Sequence, residues 1–205
     1  MKKGSILPWL LGVTLPLYVV DQITKFWCIG RFSEPVEVPG QPGLYYFGTS
    51  DKPIEVIEGF FRLTRVHNQG VAFGMGNGTD WAPLVFPFIS LTAFVLIGLG
   101  LKKNFFYGRL GKLSVALLLC GIIGNLTDRL IQGSLLERME GASLWERLKA
   151  GYVVDFLDVT IPVINYNWPV FNVADSCICV AAVLLFISGW REEKAKASRT
   201  EEVAD

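Results

Sequence analysis

The sequence predicts an all-α integral membrane protein with four transmembrane helices, a small extracytoplasmic β-rich platform and an amphipathic extracytoplasmic helix. Of the 205 residues, 51% are hydrophobic and only 19% are charged, whereas soluble domains have roughly 25% charged residues. Four apolar stretches are long enough to cross about 30 Å of hydrocarbon. They lie at residues 6–29, 81–101, 113–131 and 168–190. Together they indicate one membrane domain that covers residues 1–205.

Lysine and arginine residues predict the orientation, because the cytoplasmic loops of membrane proteins are enriched in them. They gather before the first span, between the second and third, and after the fourth: Lys2, Lys3, Lys102, Lys103, Arg109, Lys112, Arg191, Lys194, Lys196 and Arg199. Both termini are therefore expected in the cytoplasm, with residues 191–205 as a cytoplasmic tail. The loops at residues 30–80 and 132–167 are expected on the outer side.

The two outer loops differ in their patterns. Residues 54–57 and 60–66 are β-like runs, which predict a small platform on the membrane surface. In the second loop, apolar residues recur at spacings of three and four: Leu135, Met139, Ala142, Trp145 and Leu148. This spacing is typical of one or two short amphipathic helices that rest at the membrane interface.

Carboxylates from three spans are predicted at one depth. Asp21, Asp128 and Asp175 each lie about 15 residues from the inner end of their span, which corresponds to roughly 22 Å at the rise of an α-helix. Such groups cost about 2.5–3.5 kcal/mol each at the bilayer centre, so each needs a partner or a function. The sequence therefore predicts a polar layer near the outer face.

Several of these residues have a purely structural alternative. Asp21 and Lys25 are four residues apart on one helix and could simply neutralise each other. Arg129 could extend to the headgroups, with Asp128 as a neighbouring counter-ion. Asn125 could join helices by a hydrogen bond.

The remaining polar candidates lie outside or at the edge of the spans. Asn172 and Asp175 are three residues apart and could cap the fourth helix. Asp155 lies outside any span and alone would be an ordinary loop acid. The sequence has a single histidine and no CxxC pair, so we expect no metal and no cofactor. Two carboxylates that share a proton could still perform acid–base chemistry.

Five motifs follow one another along nearly the whole chain. They are Asp21-Gln22-Ile23-Thr24-Lys25, Asn68-Gln69-Gly70-Val71-Ala72-Phe73, Gly124-Asn125-Leu126-Thr127-Asp128-Arg129, Val153-Val154-Asp155-Phe156 and Phe171-Asn172-Val173-Ala174-Asp175. In this order, on four spans, the motifs resemble those of the lipoprotein signal peptidases, the signal peptidase II family.

The resemblance implies a membrane aspartyl endopeptidase of the bacterial inner membrane, with Asp155 and Asp175 as the catalytic dyad on the outward side. The substrate-binding or supporting residues that it implies are Asn68, Gly70, Asn125, Arg129, Asn172, Asp21, Lys25 and Asp128. The implied substrates are prolipoproteins, cut just before a diacylglyceryl-modified cysteine. It further implies inhibition by globomycin. The four spans imply contact with membrane lipids, and the formal net charge of zero provides no global field that would attract a nucleic-acid partner.

The chain departs from the family pattern in two loops: the loop at residues 30–59 is long, and so is the link between the third and fourth motifs. Asp128 and Asp155 are 27 residues apart, farther than is usual in the family, so residues 132–150 resemble an insertion. We expect this insertion at the outer interface, near the entrance to the site. Two other functions remain open from the residues alone: a proton- or ion-coupled relay that uses the same carboxylates, and a scaffold whose polar residues only pack helices.

Overall fold

The computed structural model describes residues 5–34, 49–69, 82–106 and 108–204, with side chains for all of these except residues 82–84, 138 and 195–204. The helices of this part of the chain are α1 (Leu7–Arg31), α2 (Ala82–Lys102), α3 (Gly108–Leu135), α4 (Leu144–Lys149) and α5 (Val173–Ala204). Among them, α1, α2, α3 and α5 are long and apolar enough to cross a membrane, which confirms the four predicted membrane helices.

Helix α1 contains one turn of π-helix, at Leu10–Thr14. Pro16 lies just after this turn, and proline has neither an N–H for the helical ladder nor room beside the carbonyl four residues earlier. A widened turn accommodates both effects without ending the helix. The part of α1 after this turn, Leu15–Arg31, is regular and carries Asp21 and Lys25 on its buried side.

Helices α3 and α5 pack closely because small residues line their contact. Cys120, Cys177 and Ala181 lie in one buried cluster at this contact. A Cβ atom added at Gly121 would lie 2.5 Å from the carbonyl oxygen of Ala174. Glycine at this position therefore allows the backbones of the two helices to approach each other.

A four-stranded antiparallel sheet lies against the helix ends. Its strands, in spatial order, are β1 (Ile54–Ile57), β2 (Phe61–Asn68), β3 (Val153–Ile161) and β4 (Tyr166–Asn167). The small sheet predicted from the sequence is confirmed, but β2 extends to Asn68, and both β3 and β4 were missed. A buried cluster joins the sheet to the end of α1: Cys28, Phe32, Leu136, Ala150, Tyr152, Val154 and Phe156.

The second outer loop differs from its sequence-based description. Residues 132–135 belong to α3, and a 3-10 turn follows at Glu137–Met139. The separate helix α4 begins with a capping box, in which Ser143 accepts the backbone N–H of Glu146 and the Glu146 carboxylate accepts that of Ser143. This reciprocal pair stabilises the start of a helix that is otherwise too short to form alone.

The last helix begins at Val173 rather than at residue 168. Before it, the backbone N–H of Trp168 bonds to Val159 and that of Phe171 to Leu157. Hydropathy does not distinguish these extended apolar residues from a helical span, which explains the difference. At the other end α5 continues to Ala204, so most of the predicted tail at residues 191–205 is helical.

The close approach of α3 and α5 leads to a test. We expect Gly121→Ala to lower the free energy of unfolding by about 1–3 kcal/mol, because the added methyl group meets the Ala174 carbonyl. Thermal unfolding in detergent micelles measures the change. The matched control is Gly98→Ala in α2, where nothing lies within 4 Å of the added Cβ. Equal stability of the two variants would contradict the packing argument.

Candidate active site

A buried ion triad lies at the centre of the site. Lys25 Nζ is 2.8 Å from Asp21 Oδ2 and 3.0 Å from Asp128 Oδ2, and all three side chains are fully buried. One cation cannot neutralise two anions, so the carboxylates need further donors. The backbone N–H of Ala174 donates to Asp21 at 2.8 Å, and that of Val154 donates to Asp128 at 3.0 Å.

The triad joins four elements, since Ala174 is in α5 and Val154 is in β3. The carboxylates predicted at one depth are thus brought into a single network. The alternative in which Asp21 and Lys25 simply neutralise each other is incomplete, because Asp128 shares the same ammonium group. Gly124 makes this approach possible: a Cβ there would lie 2.6 Å from Asp21 Oδ2.

Lys25 also fixes the orientation of an amide. Its ammonium group donates to Asn125 Oδ1 at 3.1 Å, and an ammonium group has no acceptor to offer. The oxygen of Asn125 must therefore face Lys25, and its Nδ2 then donates to Asp175 Oδ1 at 2.7 Å. The same Asn125 oxygen accepts Nδ2 of Asn172 at 3.1 Å.

Asn172 and Asp175 form a reciprocal cap at the start of α5. The backbone N–H of Asp175 donates to Asn172 Oδ1 at 2.8 Å, and the backbone N–H of Asn172 donates to Asp175 Oδ2 at 3.3 Å. The capping alternative drawn from the sequence is therefore realised in the structure. It does not exclude a chemical role, because each side chain also contacts the rest of the polar network.

Asp155 lies on β3 and is almost fully buried. Asn172 Nδ2 donates to its Oδ1 at 2.7 Å, and Asn68 Nδ2 donates to its Oδ2 at 3.0 Å. Burial, together with the negative charge of Asp175, raises the pKa of Asp155 well above the usual range of a carboxyl group, although the two amide donors favour the charged form. Asp155 therefore keeps its proton to a higher pH than an ordinary aspartate.

Asn172 connects the two candidate carboxylates. Its side chain donates to Asp155 while its backbone and side chain bond to Asp175. Asp155 comes from a strand and Asp175 from a helix start, and the two interact electrostatically. The two carboxyl groups therefore belong to one hydrogen-bonded network that is connected through Asn172.

Arg129 lies at the edge of the site. Its guanidinium group is 4.0 Å from the ring centre of Phe86, and its Nη1 donates to the carbonyl oxygen of Gln69 at 3.4 Å. It also interacts electrostatically with Asp155 and Asp175. These inward contacts do not fit the alternative in which Arg129 extends to the headgroups. Gly70, a predicted site residue, lies outside the described residues.

Some residues of the network were not singled out from the sequence. Gln22 Nε2 lies 3.1 Å from Asp21 Oδ2 and 3.4 Å from Asp128 Oδ1, so it supports the triad. Its position next to Asp21 in the first motif was the feature of the sequence that could have identified Gln22 as a site residue. His67, on the strand that carries Asn68, stacks on Tyr152 with ring centres 3.6 Å apart. Burial raises the pKa of Tyr152 to about 12, so its phenol stays neutral.

Together, the fold and the site define a class: a polytopic membrane protein with two neighbouring aspartates, Asp155 buried and Asp175 half-buried, that accept hydrogen bonds from asparagine side chains. A family model described as signal peptidase (SPase) II matches residues 13–191. The chain belongs to the signal peptidase II family and is an aspartic peptidase.

Similar proteins and structures agree with this assignment. The lipoprotein signal peptidase of Janthinobacterium sp. (strain Marseille) is 35% identical over 183 residues, which are 89% of this chain and 87% of that protein. The protein of the same name from Syntrophus aciditrophicus (strain SB) is 33% identical over 202 residues, 96% of this chain and 100% of that protein.

Two solved structures, both described as bacterial membrane enzymes, have a similar fold. One has a TM-score of 0.67 and 22% identity and covers 91% of this chain and 90% of its own. The other has a TM-score of 0.61 and 24% identity and covers 91% of this chain and 96% of its own. The membrane helices and this family place the protein in a bacterial membrane.

The buried triad leads to a second test. We expect Lys25→Met to lower the free energy of unfolding by about 3–5 kcal/mol, because Asp21 and Asp128 would be left buried without their cation. Denaturant unfolding in micelles measures the loss. Part of the stability should return when both aspartates are also changed to asparagine.

Arg62 provides the matched control for that test. It pairs with Asp158 at 2.7 Å, but its side chain is 34% exposed. Arg62→Met should therefore cost less than about 1 kcal/mol. If Lys25→Met were no more costly than Arg62→Met, the triad would not be the stabilising centre of the site.

Proposed function

We propose that Asp155 and Asp175 are the catalytic pair that removes signal peptides from prolipoproteins, by cutting immediately before a diacylglyceryl-modified cysteine. The observation that carries this assignment is their coupling through Asn172, in a site where both carboxylates are held by amide donors. Family membership and the names of the relatives support the activity. They also disfavour the relay and the scaffold.

The proposed reaction follows aspartic peptidase chemistry. With one proton on the pair, the ionised carboxylate takes a proton from a water molecule as its oxygen attacks the scissile carbonyl carbon. The protonated carboxyl group gives its proton to the carbonyl oxygen. The carboxyl group that took the proton from water then gives it to the amide nitrogen, and a hydroxyl group of the tetrahedral intermediate returns a proton to the other carboxylate as the C–N bond breaks. These transfers leave a carboxyl group on the signal peptide, a free amine on the lipid-modified cysteine and one proton on the pair. The two aspartates titrate together, so the acid and base roles are assigned to the pair and not to one residue each.

The neighbouring residues have supporting roles in this proposal. Asn68, Asn125 and Asn172 orient the carboxylates, and Arg129 faces the substrate backbone or its lipid. Asp21, Lys25 and Asp128 hold the helix ends in place. Gly70 retains its proposed place beside the substrate because it follows Asn68 and Gln69 in the second motif.

We place the site on the outer side of the cytoplasmic membrane. The basic residues of the α2–α3 connection, among them Lys102, Lys103 and Arg109, favour a cytoplasmic position for the opposite ends of the helices. The sheet then lies on the outer surface with the scissile bond just below the outer headgroups. Both termini are cytoplasmic in this orientation.

Helix α4 is proposed to rest at the outer interface near the entrance to the site. Leu144 and Trp145 are exposed on it, and its charged residues are Glu146, Arg147 and Lys149. Exposed apolar side chains beside charged ones suit a membrane surface. Gly133 of α3 lies against the Arg147 carbonyl, so α4 is held close to the end of α3. Residues 132–150 would thus border the path of the lipid-modified substrate.

Cleavage of a lipidated precursor by the purified protein tests the proposed pair. We expect Asp155→Asn and Asp175→Asn each to reduce cleavage by about 10²–10⁴-fold, because each removes one partner of the proton transfer. Asp158→Asn is the matched control: it lies on the same strand and pairs with Arg62. Full activity in either folded dyad variant would refute the assignment.

The same assay separates the proposed mechanism from a metal-dependent one. Wild-type cleavage should persist in a chelator and stop with globomycin, the inhibitor that the family resemblance implies. Loss of activity in the chelator would argue against a reaction carried by two carboxylates alone.

The raised pKa of Asp155 leads to a pH-dependent test of stability. Because the folded protein holds this proton more tightly than the unfolded chain, the stability from Asp155 is fully present below about pH 4 and is lost as pH rises through the native pKa. Asp155→Asn removes this dependence. The variant should therefore gain stability relative to wild type as the pH rises from about 4 to 8. Parallel unfolding curves at all pH values would contradict the raised pKa.

A further inference from the structure

The two ends of the sheet are very different in character. At one end, Asp155 pairs with Val66, and Val154 and Asn172 tie the sheet to the membrane helices. At the other end, Ile161 leads into a 3-10 turn, Pro162–Ile164, and the chain returns through β4. With a rise of about 3.3 Å per residue, this far end lies roughly 20 Å from Asp155 along the strand.

Large apolar side chains are exposed at this far end. We call residues 162–168 the hairpin tip. Val163 is 92% exposed and Ile164 is 67% exposed, with Tyr166 at 42% and Trp168 at 47% behind them. Soluble surfaces rarely gather such residues without a partner. Phe60, in the neighbouring β1–β2 turn, is also exposed and accepts the backbone N–H of Thr160.

Charge is absent from the same segment. The sequence has no charged residue between Asp158 and Asp175. Asp158, the charged residue that precedes this stretch, pairs with Arg62, and this pair is neutral as a whole. Tyr166 and Trp168 lie edge to face, with ring centres 6.2 Å apart, and both residue types are enriched where a membrane meets water.

We propose that the hairpin tip inserts into the lipid leaflet at which α5 begins, with Val163 and Ile164 in the acyl region and the two aromatic rings among the headgroups. The chain runs from Trp168 into α5 within five residues, so the tip is tethered to that membrane face. The proposal requires that the four helices span the membrane, but it does not depend on which side faces outward or on the catalytic pair.

A membrane position fits these observations better than a protein partner does. A polar rim normally surrounds a protein interface, whereas the uncharged stretch here continues through the tip to the first turn of a membrane helix. An anchored tip would also hold β3 along the bilayer surface at both of its ends. Asp155 would then be carried by a strand that is fixed at the helix ends on one side and by lipid on the other.

Fluorescence quenching in lipid nanodiscs tests the proposal. Val163→Cys is labelled with a polarity-sensitive fluorophore in a Cys179→Ala background, because Cys179 is exposed and the other three cysteines are buried. Doxyl-labelled phospholipid serves as the lipid quencher and iodide as the aqueous one. Phe186→Cys, on the exposed side of α5, is the lipid reference, and Lys103→Cys, exposed between α2 and α3, is the aqueous reference.

We expect the label at position 163 to behave like the lipid reference, with doxyl quenching at least about fivefold stronger than iodide quenching, because ions are excluded from hydrocarbon. Adding Ile164→Asp should move the label toward the aqueous reference, whereas the matched Ile164→Leu should not.

Two results would overturn the proposal. One is iodide quenching at position 163 that equals that of the aqueous reference. The other is protection from both quenchers together with cross-linking between two copies through position 163, which would assign the tip to a protein interface. Neither result would affect the assignment of Asp155 and Asp175, because precursor cleavage measures that separately.

Discussion

One buried ammonium group determines the arrangement of the whole polar layer. Lys25 is completely buried and donates to Asp21, Asp128 and Asn125. Because it can only donate, each of its neighbours must turn an oxygen toward it. The amide of Asn125 then has one possible orientation, and its nitrogen faces Asp175. Lys25 thus orients a candidate catalytic carboxylate that it does not itself contact.

The same layer, together with the apolar cluster at the end of α1, joins the sheet to the helices. Each anion of the triad takes a backbone N–H from another element, Ala174 at the start of α5 and Val154 in β3. A charge buried in this way is costly unless all of its bonding positions are filled. The helices therefore meet where these bonds can form, and Gly124 removes the side chain that would prevent it. The packing of the helices against the sheet and the geometry of the site therefore depend on the same hydrogen bonds.

The helical part of this site was predictable from the sequence, whereas the strand part was not. Heights along a helix follow from residue counts, so Asp21 and Asp128 could be placed in one layer before any contact was known. Asp155 depends on the pairing of β3 with β2, which is distant in sequence. Hydropathy carries no information about such pairing, and Asp155 was identified only through its motif. The start of α5 was misplaced for a related reason, since extended residues such as Trp168 are as apolar as helical ones.

The choice of asparagine around the two carboxylates has a chemical consequence. A lysine or arginine in direct contact would hold a carboxylate in its charged form and prevent it from taking up a proton. Asn68, Asn125 and Asn172 instead donate neutral N–H groups, which fix the geometry with a weaker preference for the charged form. The cation of Lys25 is kept one amide away from Asp175. Its orienting effect is transmitted through Asn125, so no direct Lys25–Asp175 ion pair holds Asp175 in its charged form.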